Sequence, residues 1–344
     1  MAKKAKSKRI YRERSPLALF LKALGIILLS LVVLSLMIFF WFQRYVVYDS
    51  NGATLRVPFL QFLYEDDEEG PVSPKVPLVI ETPDVSITEE TGAVTEGSVL
   101  TAIKVPELGS VDAETYIAQM TDVGANGILV EMKNISGQLM YLSENQTVKD
   151  YEITVGPEVS DITRALKDNG VYLIANICCF ADNTLALRSP SSALQDESGA
   201  TYVDENQTTW LNPENKTTID YLTDICSELI TLGFDEILLN NFEVPTAPTP
   251  EEELSILSAF ISKLRDRTKE TKLSVVCGGD MWTDERANMV SDYANMAYRL
   301  YTYQSDSETA QTIARQVLGD SYSERFVVIG ASGGVEGMGR VISE

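Results

Sequence analysis

Three carboxylates occupy positions in the sequence that suit acid–base chemistry. Glu131 lies late in the apolar run 127–132, Glu243 follows the predicted strand 236–242, and Asp280 follows the glycines Gly278 and Gly279. The sequence contains no histidine, which excludes Ser-His-Asp and Cys-His nucleophile systems and the usual histidine-containing zinc sites. Proton transfer therefore falls to carboxylates, tyrosine or lysine, and the sequence predicts neither a metal nor a cofactor.

Polar and aromatic residues near the same strand ends could bind a ligand. The candidates are Lys133, Asn134, Trp210, Asn240, Asn241, Trp282, Arg299 and Tyr301, and Tyr303 is a further aromatic residue that could stack on a ligand. Each also has a structural interpretation. A buried arginine needs an anionic partner, and for each aromatic side chain packing in the core is the alternative. Glu131 could pair with Lys133 on the same face of the strand, and Asp280 could cap a helix or a turn.

The elements that must position these residues alternate regularly from residue 99 onward. The predicted strands are 100–104, 127–132, 171–178, 236–242, 272–277, 296–301 and 326–329, and the predicted helices are 113–123, 158–167, 213–232, 251–268, 284–293 and 308–317. Such alternation predicts a parallel sheet, and about 245 residues suit one domain. We therefore expect a (β/α)8 TIM barrel over residues 99–344. Seven strands are visible where closure needs eight, so either the barrel is incomplete at its C-terminus or one strand has no clear pattern.

A barrel assigns different roles to the two ends of a strand. Polar residues at the C-terminal end of a barrel strand form the catalytic face, whereas those at its start usually serve stability. Asn240, Asn241 and Glu243 are therefore expected at a site, and Asp235 and Glu236 are expected to be structural.

The N-terminal part predicts a membrane anchor. Residues 1–22 are rich in lysine and arginine, and residues 23–43 are long and apolar enough to cross a bilayer. Basic residues mark the cytoplasmic side, so the protein is expected in the cell membrane as a single-pass protein with an extracellular C-terminal domain. A cleaved signal peptide is the alternative. Residues 45–63 predict a small β-hairpin around Asn51-Gly52, and residues 64–98 an acidic disordered linker.

The charge of the protein restricts the class of ligand that it can bind, and the positions of the cysteines bear on whether they form disulfides. The net charge is −22, although basic residues concentrate near the N-terminus, and such an acidic surface disfavours nucleic acid and anionic wall polymers as ligands. Cysteines 178, 179, 226 and 277 lie inside apolar runs. Buried free thiols are the favoured interpretation, although an extracellular location would permit disulfides.

Three blocks of the sequence resemble a bacterial family of glycosyl hydrolase-like TIM-barrel domains, whose function is unknown and which is often carried on membrane-anchored proteins. Residues 127–141 resemble a strand ending in Asp-x-Lys-Asp-x-Ser-Gly. Residues 209–213 resemble Trp-Val-Asp-Pro before a helix, where Asn212 would cap the helix. Residues 233–245 resemble Gly-Phe-Asp-Glu-Ile-Gln-Phe-Asp-Tyr-Val-Arg-Phe-Pro.

The match departs from the family at its charged positions. Glu131, Asn134, Asn212 and Asn240 stand where the family has aspartate, and Glu243 stands where it has arginine. Asparagine keeps the shape of aspartate but cannot titrate, so acid or nucleophile function does not carry over to Asn240. In a similar chitinase-like strand the acid would fall at Phe242, so Glu243 would face the other side unless a bulge intervenes.

The resemblance implies a glycoside hydrolase. The first hypothesis is therefore a membrane-anchored, extracellular enzyme that acts on polysaccharide or cell-wall glycan, and the positions of Glu131 and Asp280 in the sequence make them the candidates for the paired carboxylates that such catalysis uses. The asparagines favour an alternative, a barrel that binds a polysaccharide or oligosaccharide without turnover. A surface scaffold for protein partners is the third hypothesis.

Overall fold

The computed structural model describes residues 46–49, 52–55 and 99–343, except residues 270, 284, 285 and 331–336, and it describes only the backbone of residues 46–49 and 52–55 and of Asp280 and Ala287. The predicted membrane anchor 23–43 and linker 64–98 lie outside the described residues. Within the described part of the chain, no helix is both long and apolar enough to cross a membrane.

A two-stranded antiparallel hairpin precedes the main domain and belongs to a separate compact unit. Its strands are β1 (Val46–Asp49) and β2 (Gly52–Leu55), and Asp49 pairs with Gly52. Gly52 of the expected Asn51-Gly52 turn is thus the first residue of β2, and Asn51 lies outside the described residues.

Eight parallel strands form a closed barrel in the order β10-β3-β4-β5-β6-β7-β8-β9. They are β3 (Thr101–Val105), β4 (Gly127–Lys133), β5 (Tyr172–Cys178), β6 (Glu236–Asn240), β7 (Lys272–Val276), β8 (Leu300–Tyr303), β9 (Phe326–Ile329) and β10 (Gly339–Ile342). The expected TIM barrel is confirmed, and its eighth strand is β10. This strand pairs with β9 through Gly339 and Val327 and with β3 through Arg340 and Thr101, so the barrel is complete at its C-terminus.

Helices follow the strands and cover the outside of the barrel. The α-helices are Ala113–Asp122, Gln146–Asp150, Ser160–Asp168, Leu185–Arg188, Lys216–Thr231, Pro250–Thr268, Ala287–Met296, Ser307–Leu318 and Tyr322–Arg325, and short 3-10 turns lie at Gly279–Met281, Gln304–Asp306 and Gly319–Ser321. Asn212, expected to cap the helix after it, instead accepts the Glu214 N–H at 2.9 Å in a preceding turn, and Asn215 is the N-cap of Lys216–Thr231.

Alternate strand residues fill the barrel interior. One buried cluster contains strand and strand-flanking residues such as Leu129, Ile174 and Leu238, whereas the other also contains helix residues such as Tyr221 and Leu257. Because side chains alternate along a strand, the first cluster faces the interior and the second lies between sheet and helices.

A buried ionic network closes the N-terminal end of the interior. Arg299 Nη1 donates to Glu236 Oε2 at 2.5 Å, and the hydroxyls of Ser274 and Tyr301 donate to Glu236 Oε1 at 2.5 and 2.9 Å. Glu236 is therefore structural, as its position at the start of β6 predicts. Asp235 is structural as well, because its carboxylate pairs with Lys167 Nζ at 2.6 Å.

Candidate active site

Glu131 lies at the C-terminal mouth of the barrel. It follows Leu129 on the interior face of β4 and is half-buried. Burial raises the pKa of Glu131 above the usual carboxyl value, while the cations Lys104 and Lys133 oppose that shift. A carboxyl group with a raised pKa holds its proton to higher pH, which is the property that a general acid requires.

Amides on the neighbouring strands face the same space. Asn176 is the register partner of Glu131 on β5, and its Oδ1 is buried without a hydrogen-bond partner. On β6, Asn240 Nδ2 donates to Tyr303 Oη at 2.9 Å. Burial raises the pKa of Tyr303, the Asn240 hydrogen bond lowers it, and the charge of Glu131 raises it. The Tyr303 hydroxyl therefore lies within electrostatic range of Glu131.

The chain after β6 brings Glu243 back to the cleft. Asn241 has a φ of +48°, in the left-handed region that few residues other than glycine adopt. Phe242 then enters the core against Phe180 and Tyr293, and Glu243 is exposed beside Asn240 and Asn241. Strict alternation along the strand would place Glu243 on the side opposite to the cleft. Glu243 instead faces the cleft, because β6 ends at Asn240 and the left-handed conformation of Asn241 reverses the alternation.

A cavity of about 140 Å³ lies between the ends of β6 and β7, and we refer to it as the side cavity. Its lining comprises Asn240, Asn241, Phe242, Glu243, Glu253, Val276, Cys277, Gly278, Met281, Arg286, Tyr293 and Tyr303. Asn240 and Tyr303 are hydrogen-bonded and lie on the interior face of the barrel, the face on which Glu131 also lies. We refer to this pair as the wall of the side cavity towards the barrel interior.

Cys178, at the end of β5, lies between the two glutamates. Its thiol has a pKa raised to about 12, chiefly by burial; Lys133 opposes this shift, and the charges of Asp182, Glu131 and Glu243 add to it. The thiol is therefore neutral, and it donates a hydrogen bond to Asn241 Oδ1 at 2.9 Å. Cys178 is consequently a structural donor and not a thiolate nucleophile. All four cysteines are buried and free, as expected.

Lys133 does not face the mouth. The pairing register of β4 and β5 shifts between Glu131 and Lys133, and this bulge turns Lys133 to the outer side. Its side chain is fully buried, with Nζ 3.0 Å from Asp182 Oδ2 and 2.7 Å from the Cys178 carbonyl oxygen. The structure therefore corrects both sequence interpretations, because Lys133 contacts neither a ligand space nor the Glu131 carboxylate.

The two candidate tryptophans, Trp210 and Trp282, are core residues. Trp282 is 1% exposed, donates to Thr302 Oγ1 at 3.0 Å and packs edge-on against Phe326. Trp210 is 4% exposed and donates to Asp204 Oδ2 at 3.1 Å. Neither presents a ring face to a sugar.

Arg299 and Tyr301 belong to the ionic network at the opposite end of the barrel. Both are fully buried, and both donate to Glu236. The expected anionic partner of Arg299 is therefore a structural carboxylate and not a site carboxylate.

Two further candidates lie beside the mouth. Asn134 is partly buried and closes the turn after β4, since its Oδ1 accepts the Gln138 N–H and its Nδ2 donates to Gln138 Oε1, both at 3.0 Å. The backbone of Asp280 lies in the 3-10 turn next to Gly278 and Met281 of the side cavity. The Asp280 side chain lies outside the described residues, so its role stays a prediction.

Sequence reasoning missed Asn176 and Asp182. Asn176 carried a signal, because it is one polar residue inside a long apolar run. Asp182 is fully buried, and its Oδ1 accepts the N–H groups of Thr184 and Leu185. An Asp-Asn-Thr sequence after a strand indicates such a turn, but the ion pair with Lys133 needs the bulge and has no local signal.

Comparisons with known proteins agree with this architecture. A family model described as "Putative glycosyl hydrolase domain" matches residues 101–317. A search of curated proteins finds no match. Among solved structures, a hypothetical protein from Ruminiclostridium thermocellum is 24% identical, with a TM-score of 0.43 over 47% of this chain and 89% of that chain.

Two glycosidases are among the similar solved structures, both at low identity. An alpha-L-fucosidase from Paenibacillus thiaminolyticus is 13% identical, with a TM-score of 0.50 over 72% of this chain and 46% of that chain. An alpha-galactosidase from Thermus thermophilus is 11% identical, with a TM-score of 0.48 over 72% of this chain and 58% of that chain. The chain thus spans about half the length of these enzymes.

Proposed function

Because the chain belongs to this glycosyl hydrolase domain family, we propose that its barrel mouth binds a polysaccharide or cell-wall glycan and hydrolyses a glycosidic bond. The observation that carries the proposal is the position of Glu131, a half-buried carboxyl group with a raised pKa on the interior face at the C-terminal end of β4. Catalytic groups of TIM-barrel enzymes lie at this end of the strands.

Glu131 acts in this proposal as the general acid that protonates the leaving oxygen. Glycoside hydrolysis also needs a second carboxylate as base or nucleophile, at about 5–10 Å from the first. Glu243 is the described carboxylate best suited to that role, since it lines the side cavity and, like Glu131, acts electrostatically on the Cys178 thiol. Asp280 remains a sequence-based candidate.

The cellular setting of the proposal is the one that the N-terminal sequence predicts. Residues 23–43 would hold the protein in the cell membrane, with the barrel outside the cell where wall glycan is available.

The experiment incubates the purified protein with a panel of soluble polysaccharides and measures the release of reducing ends. Glu131→Gln keeps the size of the side chain but removes the proton donor, and loss of an acid typically costs about 10²–10⁴-fold in rate. Glu308→Gln is the matched control, because Glu308 is exposed on the outer helix Ser307–Leu318. Equal rates in the wild type and Glu131→Gln would overturn the assignment of Glu131.

A second candidate function is glycan binding without turnover. The observation that favours it is that amides, Asn176 on β5 and Asn240 on β6, occupy interior-facing positions on the two strands that follow β4 in the barrel. Binding of a glycan without product, at the same affinity in Glu131→Gln, would favour this function over hydrolysis.

A further inference from the structure

The side cavity has the size of a subsite for a single sugar ring. Pockets that enclose drug-sized ligands measure about 300–1,000 Å³, whereas the side cavity measures about 140 Å³. Its floor contains Phe242, Val276 and Met281, which are all buried. Tyr303 is 38% exposed at the edge, so part of its ring can pack against the C–H face of a sugar.

The wall between the side cavity and Glu131 fixes where a second ring would lie. Asn240 and Tyr303 are joined by a hydrogen bond of 2.9 Å and line the side cavity. Glu131 follows the interior residue Leu129, as Asn240 follows Leu238 and Tyr303 follows Tyr301, so all three face the interior, and the charge of Glu131 raises the pKa of Tyr303. A disaccharide unit with one ring in the side cavity would therefore carry its glycosidic bond over this wall, towards Glu131.

The charges around the side cavity select against anions. Its described lining holds two carboxylates, Glu243 and Glu253, against one guanidinium, Arg286. Glu253 is 8% exposed, and its Oε1 accepts the Val244 N–H at 3.0 Å, which holds this carboxylate in place. The third carboxylate, Glu131, lies across the Asn240–Tyr303 wall. An anionic ring in so small a space would lie close to fixed negative charge in a partly dehydrated environment, where repulsion is stronger than in water.

We propose that the side cavity is a subsite for one uncharged sugar ring and that it rejects rings bearing a carboxylate, phosphate or sulfate group. This inference rests on the proposed function, since it names the substrate class of the same mouth. A neutral pyranose offers hydroxyls to Asn240, Glu243 and Tyr303 and a C–H face to the Tyr303 ring. A uronate ring of the same linkage differs only in its C6 carboxylate, which adds the repulsion.

The experiment measures binding of matched neutral and uronate tetrasaccharides by calorimetry at low salt. Three pairs serve as probes: β-1,4-glucose with β-1,4-glucuronate, β-1,4-mannose with β-1,4-mannuronate, and α-1,4-galactose with α-1,4-galacturonate. The protein carries Glu131→Gln, so that turnover does not consume the probes. The test variant adds Glu243→Gln, and the control adds Glu308→Gln, which changes the net charge equally at a site on an outer helix. Both positions are exposed, and a thermal melt verifies folding.

We expect at least one neutral probe to bind about tenfold or more tightly than its uronate partner. That ratio should fall at least about threefold in the Glu243→Gln variant and stay unchanged in the Glu308→Gln control. Equal or tighter uronate binding, an unchanged ratio in Glu243→Gln, or binding of none of the six probes would each overturn the inference.

The experiments can refute the proposed function and the subsite independently of each other. Discrimination between neutral and uronate probes, without any product from the wild-type protein, would refute hydrolysis and leave the subsite standing. Product formation without discrimination would refute the subsite and leave hydrolysis standing.

Discussion

The Cys178 thiol donates a hydrogen bond to Asn241 Oδ1 at 2.9 Å, and it thereby joins the C-terminal ends of β5 and β6. Asn241 is the residue whose left-handed backbone, with a φ of +48°, directs Phe242 into the core and Glu243 to the side cavity. The position of Glu243 thus depends on a backbone conformation that most side chains disfavour.

Substitution of Asn241 tests this conformation. Asn241→Val should lower the free energy of unfolding by about 1–3 kcal/mol, because a β-branched residue is strained at positive φ. Asn241→Gly should stay within about 1 kcal/mol of the wild type, since relief of strain offsets the lost Cys178 hydrogen bond. Urea denaturation measures both. Asn206→Val, at an exposed turn position without a positive φ, is the control, and an equal loss there would contradict the strain argument.

Substitution of Gly137 tests how tightly the turn after β4 packs against the buried Asp182. A Cβ at Gly137 would lie 2.2 Å from Asp182 Oδ1, whereas a Cβ at Gly199 would meet nothing within 4 Å. The two glycines have nearly equal φ values of +81° and +80°. Gly199→Ala should therefore cost only the backbone strain, about 1–2 kcal/mol. Gly137→Ala should cost about 1–3 kcal/mol more, and equal melting temperatures for the two variants would show that the loop yields without cost.

The ion pair of Arg299 and Glu236 should behave as a buried pair. Arg299→Met leaves a fully buried carboxylate without its cation, which should destabilise the protein by about 3–5 kcal/mol. Arg164→Met removes the exposed pair with Asp161, in which the side chains are 67% and 92% exposed, and should change stability by no more than about 1 kcal/mol. Denaturant titration of both variants checks the contrast. A loss for Arg299→Met as small as that of Arg164→Met would contradict the buried network.

Glu131 should make stability depend on pH with a definite sign. Burial raises its folded-state pKa above the usual value of 4.5, so its ionisation costs free energy in the folded protein only. Well below pH 4.5 the group is neutral in both states and contributes nothing. The cost builds up as pH rises from 4.5 through the folded-state pKa, and it is fully present above that pKa. Glu131→Gln should therefore raise the melting temperature near pH 7, by no more than about 3 °C, and the gain should vanish near pH 4. A gain that grows towards low pH would contradict the burial argument.

Much of the fold can be predicted from the sequence, because the hydrophobic patterns of strands and helices are local. The sequence positions of Glu236 and Asp235 correctly predict the start of a barrel strand, and the first seven barrel strands follow apolar runs. The sequence does not predict strand β10, since Gly339–Ile342 is short and its assignment depends on pairing with β3 and β9. Long-range pairing leaves no periodic signal in four residues.

The arrangement of the site is harder to predict from the sequence, because two backbone irregularities determine which side chains face the mouth. Alternation predicts Lys133 beside Glu131 and Glu243 on the opposite side of its strand. The bulge in β4 and the left-handed Asn241 reverse both expectations. Trp210 and Trp282 have the residue type of a sugar platform, yet the hydrogen bonds of their indoles lie within the core. Only tertiary contacts distinguish these cases.

The position of β10 has a consequence for how the protein is made. During synthesis the ribosome releases β3 early and β10 last of the barrel strands, and β10 is the strand that joins β3 to β9. Until β10 leaves the ribosome, both of those strands present unpaired edges, which are sites for association with other chains. The nascent barrel therefore passes through an open, aggregation-prone stage, and its completion waits for the translation of Gly339–Ile342.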